Sequence, residues 1–441
     1  MVHRKTTPTY SDQFILSHLG DDVAQLALQR RRFTELTDDE FRWALQQIEA
    51  RQRLAQKLPS LVAQPEFWFP VRLSCEQCSS ELTARYKAQL IAGSQNAQQD
   101  DCTQHSALNA QLILHDLTGG MGIDTLFLSS VCREAHYVER DEELCRLAAH
   151  NFALPGIAER TPIHIHHTSA EDYISHLPCG EEGRGSLFFV DPARRDSHGG
   201  KVFRLRDCTP DVTQLLPQIR SLFLSRAMNP PAFLLKLSPM LDISAALADL
   251  TPVCSPWQVH VVSVRNEVKE VLLYHPITAL EREQGEFITA IDLPDGKPFT
   301  FTPDEERAAT STAHNYQLST INYQLSTINY IYEPSAAILK AGAFRLIGER
   351  YGVRKLDPNT HLYASERLIA DFPGRIFRIE DTESVTSLVG RKGGVFNIIA
   401  RNYPLTADQL RRKYRIMDGG DRYLIATRLA GKPILITATR C

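Results

Sequence analysis

From Gln111 onward the chain alternates short apolar runs with longer amphipathic stretches, and this alternation constrains the fold more than any other feature. The runs "LILHDL" (112–117), "AHYVE" (135–139), "IHIHH" (163–167), "LFFVD" (187–191) and "FLLKL" (233–237) have strand length, and the segments between them can hold crossover helices. Strands linked that way lie parallel, with helices on both faces of the sheet. The next two runs, in "VHVVSVRNEVKEVLLYH" (259–275), are joined by a short polar turn that permits only an antiparallel hairpin. The expected fold class is α/β, a doubly wound and largely parallel sheet that ends on an antiparallel hairpin.

At 441 residues the chain exceeds what one core can organise, and its flanks read differently from the sheet. Residues 1–95 are expected to be helical. In "LTDDEFRWALQQIEARQRLAQKLPSL" Thr37 is the N-cap, acids fill the first turn, and apolar residues recur at Phe41, Leu45, Ile48 and Leu54 before a proline stop at Pro59. A second helix, "CEQCSSELTARYKAQLIAG", is read as opening on a capping box of Ser74 and Gln77 and ending near Gly93. The polar "GSQNAQQDDCTQ" then marks a boundary, with the sheet domain spanning 96–280. An α+β segment follows over 281–385, with a hairpin turning at "DGK" and a helix, "SAAILKAGAFRLIGERYG", closing on Gly352. It contains a tandem repeat, "NYQLSTINYQLSTINY" (315–330), too short for a solenoid and read as a duplication in a tolerant linker. Residues 386–441 read as a small β-α-β-β unit with a helix capped by Thr406.

Two strand ends carry candidate chemistry. After the first strand come Asp116, Thr118, Gly119, Gly120 and Gly122, then a helix. Glycines there let backbone amides approach a ligand at the crevice where open α/β sheets bind one. The second strand ends on Glu139, 17 residues beyond Gly122, where an acid can accept both hydroxyls of a ribose. Glu171 and Asp172 follow the third strand, near an adenine-side position. The fourth strand runs into Asp191 and Pro192, then into Arg194, Arg195 and Lys201. A carboxylate at that rim can accept a hydrogen bond, or a proton, from an attacking group. Arginine forks match phosphate oxygens in pairs, and Lys236 on the fifth strand joins them as a candidate substrate contact.

Net charge is −3, which excludes a surface that is basic overall, yet residues 387–441 hold eleven Lys or Arg against three Asp. That local excess, with Arg411, Arg412 and Lys413 at its centre, is the footprint of an RNA-binding surface. The Cys75–Cys78 pair lacks a second ligand pair for zinc, and His164, His166 and His167 read as ordinary strand residues, so no metal is expected. No apolar run approaches a membrane span, the N-terminus has no apolar signal core, and nine scattered cysteines suit a reduced cytoplasm.

"DLTGGMG" resembles the first motif of class I S-adenosylmethionine-dependent methyltransferases, the hairpin resembles their terminal pair, and "VDPAR" resembles their fourth motif. The resemblance implies a Rossmann-like methyltransferase sheet and S-adenosylmethionine as cofactor. It would put Asp116 toward the amino acid end, Gly120 and Gly122 along the cofactor, and Glu139 on its ribose. The usual acid after the third strand is Ser169 here, which leaves adenine to Asp172. "CEQCSSELTARYKAQL", "DPARRDSHGGKVF", "RKGGVFNIIARNYPL" and "RRKYRIMDGGDRYLIATRL" together resemble bacterial methyltransferases with a THUMP-like C-terminal domain. That similarity implies a helical N-terminal region, the methyltransferase core, a ferredoxin-like insert and the THUMP-like end. "DPAR" is also similar to the fourth motif of RNA 5-methyluridine methyltransferases, but the cysteine those enzymes need after the fifth strand is replaced by "KLSPML". The expected function is methyl transfer to a nitrogen or oxygen of a tRNA or rRNA nucleotide. The alternatives are a protein or small-molecule methyltransferase, and a catalytically silent RNA-binding or assembly factor.

Overall fold

The structure, a computed structural model, describes residues 10–70, 72–93, 111–177, 185–194, 204–276, 278–313, 328–381, 394–429 and 431–441. The apolar runs become β1 (Leu112–Asp116), β2 (Glu134–Glu139), β3 (Ile163–His167) and β4 (Gly185–Val190). Then come the short β5 (Ala193–Arg194) and β6 (Cys208–Thr209), β7 (Ala232–Leu237), and β8 (Gln258–Val264) with β9 (Glu267–His275). The chain divides into two units, residues 1–257 with 272–285, and 258–271 with 286–441, so that β9 gives its second half to the first unit and its first half to the second.

In the first unit the strand order is β9, β7, β4, β1, β2, β3. The β1–β2, β1–β4, β2–β3 and β4–β7 pairs are all parallel. Chain order reverses between β1 and β4, and at such a reversal open α/β sheets bind ligands in a crevice outside the carboxyl ends of the strands. β4 is buried along Ser186–Val190, as a strand covered on both faces must be.

The N-terminal helices include Asp38–Leu54, whose capping box is closed by Thr37 and Glu40. The helix ends at Leu54 rather than at Pro59, which instead opens a short helix over Pro59–Val62. Proline suits that first position because its missing N–H would have no partner there. The buried Arg51 guanidinium holds the following turn by donating to the carbonyls of Val62, Gln64, Pro65 and Phe67. The second expected helix is two, Arg72–Gln77 and Glu81–Ile91, and Ser80 rather than Ser74 is the N-cap of the longer one. Ser74 lies within Arg72–Gln77. One apolar core joins Leu54, Phe67, Phe69 and Ala84 of the helical region to Ile123, Tyr137, Ala148 and Phe152 of the sheet domain. Asn151 fastens the "PEFWFP" connector to it, accepting from Trp68 N (2.8 Å) and donating to Trp68 O (2.9 Å).

In the second unit, Arg265 and Asn266 take positive φ (51° and 65°), forming the tight two-residue turn of the β8–β9 hairpin. Two more strands of this unit follow the hairpin. β10 (Phe287–Leu293) pairs parallel with β8, and β11 (Phe299–Phe301) pairs antiparallel with β10. β8 is buried along almost its whole length, and a paired outer edge is what such a strand requires. A second sheet follows, built from β12 (Tyr330–Pro334), β13 (Arg354–Lys355), β14 (Tyr363–Ser365), β15 (Gly374–Asp381), β16 (Asn397–Ala400), β17 (Arg422–Leu429) and β18 (Lys432–Arg440). Its order is β13, β14, β12, β15, β18, β17, β16. The stretch read as one helix over 335–352 is two, Ala336–Ala341 and Leu346–Tyr351, because Gly342 turns left-handed (φ 85°) and ends the first. The expected β-α-β-β unit is β16, a helix over Ala407–Tyr414 capped by Thr406, β17 and β18. Most of the tandem repeat lies outside the described residues, but its last three, Ile328 to Tyr330, enter β12 with Ile328 buried. No described helix is long and apolar enough to cross a membrane.

Candidate active site at the carboxyl ends of the parallel strands

β1 delivers Asp116 to a loop that runs through Gly122 into a helix over Ile123–Ser129. Asp116 is fully buried and lies beneath the loop, accepting from Thr118 N (3.1 Å) and from the Thr125 hydroxyl. Burial pushes its carboxyl up to about 7, and Asp124 and Asp191 nearby act in the same direction. Its two oxygens are thus engaged by the loop and by the helix that follows it. Gly119 packs on Tyr137 so closely that a Cβ would come within 2.3 Å of the ring, and the Tyr137 hydroxyl donates to Gly120 O (2.6 Å). Gly122 has φ 80°, and a Cβ there would also press on Phe152 at 2.8 Å. Each glycine is required by packing or backbone conformation.

Glu139 closes β2 and braces the same loop. Its Oε2 accepts from Gly120 N (2.9 Å), and its Oε1 from Arg140 N (2.8 Å) and Asp141 N (2.9 Å). The half-buried carboxylate keeps accepting capacity at the crevice, as a vicinal diol would need. After β3, Ser169 caps the helix Ala170–Ser175, and its hydroxyl donates to Asp172 Oδ2 (2.8 Å). Asp172 is therefore engaged by its own helix cap, and both it and Glu171 are exposed. His164 and His166 belong to a histidine face with His115 and His136, in which His136 Nδ1 lies 2.9 Å from His166 Nε2.

β4 delivers Asp191 to the rim beside this loop. Its backbone N donates to the Thr118 hydroxyl (2.7 Å), which ties the two motifs together. Asp191 Oδ2 is ion-paired with Lys236, whose ammonium also lies 3.5 Å from Asp124 Oδ2 and donates to Ser79 Oγ (3.0 Å). Lys236, offered to substrate by the sequence reading, is placed here against carboxylates. Its charge is needed where two acids converge. Lys87, fully buried, completes the cluster at 3.1 Å from Asp124 Oδ1. Burial alone would raise the Asp124 carboxyl, but Lys87 and Lys236, with the Ser79 hydroxyl, hold it below its ordinary value. Pro192 is buried, Arg194 lies in β5, and Arg195 and Lys201 lie outside the described residues.

Sequence reasoning missed Ser79, Lys87, Asp124 and Thr125. Their one signal, weak by itself, is an acid two residues past the last glycine of the loop. Cys208, opposite Arg194 in the β5–β6 pair, is buried and so is Cys254.

The basic C-terminal segment is arranged less simply than its charge count. Arg411 is paired with Asp408 (2.9 Å) and Asp418 (2.7 Å), which neutralises much of its field, while Arg412 and Lys413 are exposed. A groove of about 570 Å³ lies nearby in the same unit, lined among others by Arg375, Arg401, Tyr403 and Tyr423. The buried Glu333 carboxylate accepts from both guanidinium groups, with Arg401 Nε at 3.0 Å and Arg375 Nε at 2.8 Å. The two forks are held in place with one positive charge between them in excess.

The strand order, the acid–glycine loop and the rim carboxylate define a class I methyltransferase fold. Residues 330–373 match a ferredoxin-like domain family and residues 374–440 a THUMP domain-like family. An uncharacterized S-adenosylmethionine-dependent methyltransferase of Mycobacterium tuberculosis, present in two strains, is 22% identical over 413 residues, covering 90% of this chain and 96% of its own. The crystal structure of a candidate methyltransferase from Porphyromonas gingivalis W83 superposes with a TM-score of 0.74 at 29% identity, covering 98% of this chain and 97% of that one. The chain is thus similar over nearly its full length to S-adenosylmethionine-dependent methyltransferases, and it ends in a THUMP-like domain.

Proposed function

We propose that the chain transfers a methyl group from S-adenosylmethionine to a nitrogen or oxygen atom of a nucleotide in tRNA or rRNA, in the cytoplasm. The observation that carries the reading is the Thr118–Asp191 hydrogen bond, which fixes a rim carboxylate beside the cofactor loop. S-adenosylmethionine supplies a methyl group on a sulfonium, already activated for in-line displacement. The work left to the protein is alignment and exclusion of water. The glycine loop lets its backbone approach the cofactor, Asp116 braces that loop from below, and Glu139 accepts from the ribose hydroxyls. Glu171 and Asp172 flank the adenine side. Asp191 accepts a hydrogen bond from the attacking N–H or O–H, and Pro192 limits how the chain leaves it. Arg194, Arg195 and Lys201 begin the rim that meets substrate phosphates.

Transfer to a pyrimidine carbon is disfavoured because it needs a covalent nucleophile at the ring, and the place after the fifth strand reads "KLSPML" without a cysteine, while Cys208 and Cys254 are buried. RNA as substrate is supported by the THUMP domain-like match and by the exposed Arg412, Lys413 and Arg401 of the same segment. The described cysteines are free thiols, which suits a reducing compartment.

The test is mass spectrometry of nucleosides from tRNA and rRNA of cells lacking the gene. One methylated nucleoside should disappear and return with the wild-type protein but not with Asp191→Ala. Complete restoration by Asp191→Ala, or an unchanged nucleoside profile, would defeat the proposal.

A further inference from the structure

Four charges alternate in sign from the interior to the rim: Lys87, Asp124, Lys236 and Asp191. Ser79 bridges the middle of the row, donating to Asp124 Oδ2 (2.6 Å) and accepting from Lys87 (3.3 Å) and Lys236 (3.0 Å). Exposure grows along the row, with side-chain values of 0% for Lys87, 10% for Asp124, 12% for Lys236 and 36% for Asp191. We infer that Ser79, Lys87 and Asp124 are positioning residues for Asp191, acting through Lys236.

The inference rests on the catalytic reading of Asp191. A lysine paired with one carboxylate keeps a flexible four-carbon stem, and its partner moves with it. Among the described residues, the Lys236 ammonium meets acceptors from three elements: Ser79 before the helix Glu81–Ile91, Asp124 in the glycine-loop helix, and Asp191 after β4. Three directions fix a point charge. Asp191 Oδ2 docks on that point and its backbone N on the Thr118 hydroxyl, so side chain and main chain are both set. Oδ1 is left, among the described residues, as the oxygen that can meet a substrate donor. The fully buried Lys87 is the counter-charge that lets Asp124 serve Lys236 without leaving an unbalanced acid inside. A cluster that served folding alone would have no reason to end at the rim. This row ends on the rim carboxylate whose own backbone N is tied to Thr118 of the glycine loop.

The variants are Ser79→Ala, Lys87→Met and Lys87→Arg in the full chain. The assays are single-turnover methyl transfer to unfractionated RNA from cells lacking the gene, calorimetry with S-adenosylmethionine, and crystal structures. Ser79→Ala is expected to lower the transfer rate about tenfold, the scale of one hydrogen bond to a charged group. Cofactor affinity and KM for RNA should stay within about twofold. The Asp191 side chain should be turned or split between positions. Lys87→Met should do the same more strongly, with partial rescue in Lys87→Arg. If Lys87→Met does not fold, Ser79→Ala still decides, because it removes a single hydroxyl. Unchanged transfer with Asp191 in its wild-type position would overturn the inference. If the wild type transfers nothing to RNA, the proposed substrate fails separately, and the crystallographic position of Asp191 in Ser79→Ala still upholds or overturns the positioning role.

Discussion

Replacing Glu139 with glutamine separates bracing of the glycine loop from binding of a ribose. The carboxylate offers roughly four acceptor sites, and backbone amides of Gly120, Arg140 and Asp141 take three of them. The remaining capacity is what a ribose hydroxyl would use in the proposed complex. Glutamine keeps the shape but turns one oxygen into a donor. If that nitrogen meets Gly120, one loop bond is lost. If it meets Arg140 and Asp141, two are lost. Glutamine should choose the first, at about 1–3 kcal/mol for a half-buried amide left unpaired.

The cofactor effect is additional. A hydroxyl donating to a carboxylate gives a bond about twice as strong as one to a neutral amide oxygen, so the ribose contact should weaken roughly 10- to 100-fold in affinity. Calorimetry with S-adenosylmethionine and thermal melting of the unliganded protein read the two effects separately. Both should be present in Glu139→Gln. A Glu139→Gln protein that melts lower yet binds the cofactor within about threefold of wild type would refute the ribose role and leave Glu139 as a brace alone.

Acid should destabilise the fold early. Burial holds His136 and His275 down to about 4 and His260 down to about 3. These groups stay neutral when folded but take protons when unfolded below about pH 6.5, so stability is full above that pH and falls as pH drops toward 4. At pH 5 His136 and His275 should each cost roughly 2 kcal/mol, and urea melts that superimpose from pH 7 to 5 would refute this. In RNA binding, Arg412→Ala and Lys413→Ala should each reduce the salt dependence by about one counterion, and Arg411→Ala by less because Asp408 and Asp418 already hold its charge. Equal slopes for all three variants would contradict that ranking. Deleting residues 315–321 leaves the same Ile-Asn-Tyr entering β12, so the melting temperature should move by no more than about 2 °C. A larger drop would mean that both copies are needed.

β4 and β7 were legible because burial on both faces writes them as nearly unbroken apolar runs, and Asp191 stands out at the end of the first; β2 and β3, less buried, were legible as short runs between helical stretches. The hairpin was legible because two residues leave the chain no other return. Breaks inside helical patterns were not. Cys78 to Ser80 and Gly342 interrupt sequences whose apolar spacing continues across them, so periodicity joined what a cap or a left-handed glycine divides. The strands beyond β8 were assigned to a later segment, because sequence distance says nothing about which edge a hairpin will cover.

The charge row was illegible for a different reason. Lys87 sits in "ARYKAQL", where a lysine on a helix reads as solvent-facing, and Ser79 looks like one more polar residue beside a cap. What makes them part of the site is contact across long sequence distance, 157 residues between Ser79 and Lys236. The polar stretch near residue 95 marks a change of texture in the sequence, but it does not mark a division in the packing. Leu54, Phe67 and Ala84 share a core with Ile123, Tyr137 and Phe152, and the buried Lys87–Asp124 pair crosses the same boundary. Removing the helices would expose that core and strip Asp124 of its innermost counter-charge. A sheet domain cut at residue 95 should therefore lose solubility and the support of Asp191 together, and adding the helices back in trans should restore neither fully, because a shared core forms in one cooperative step.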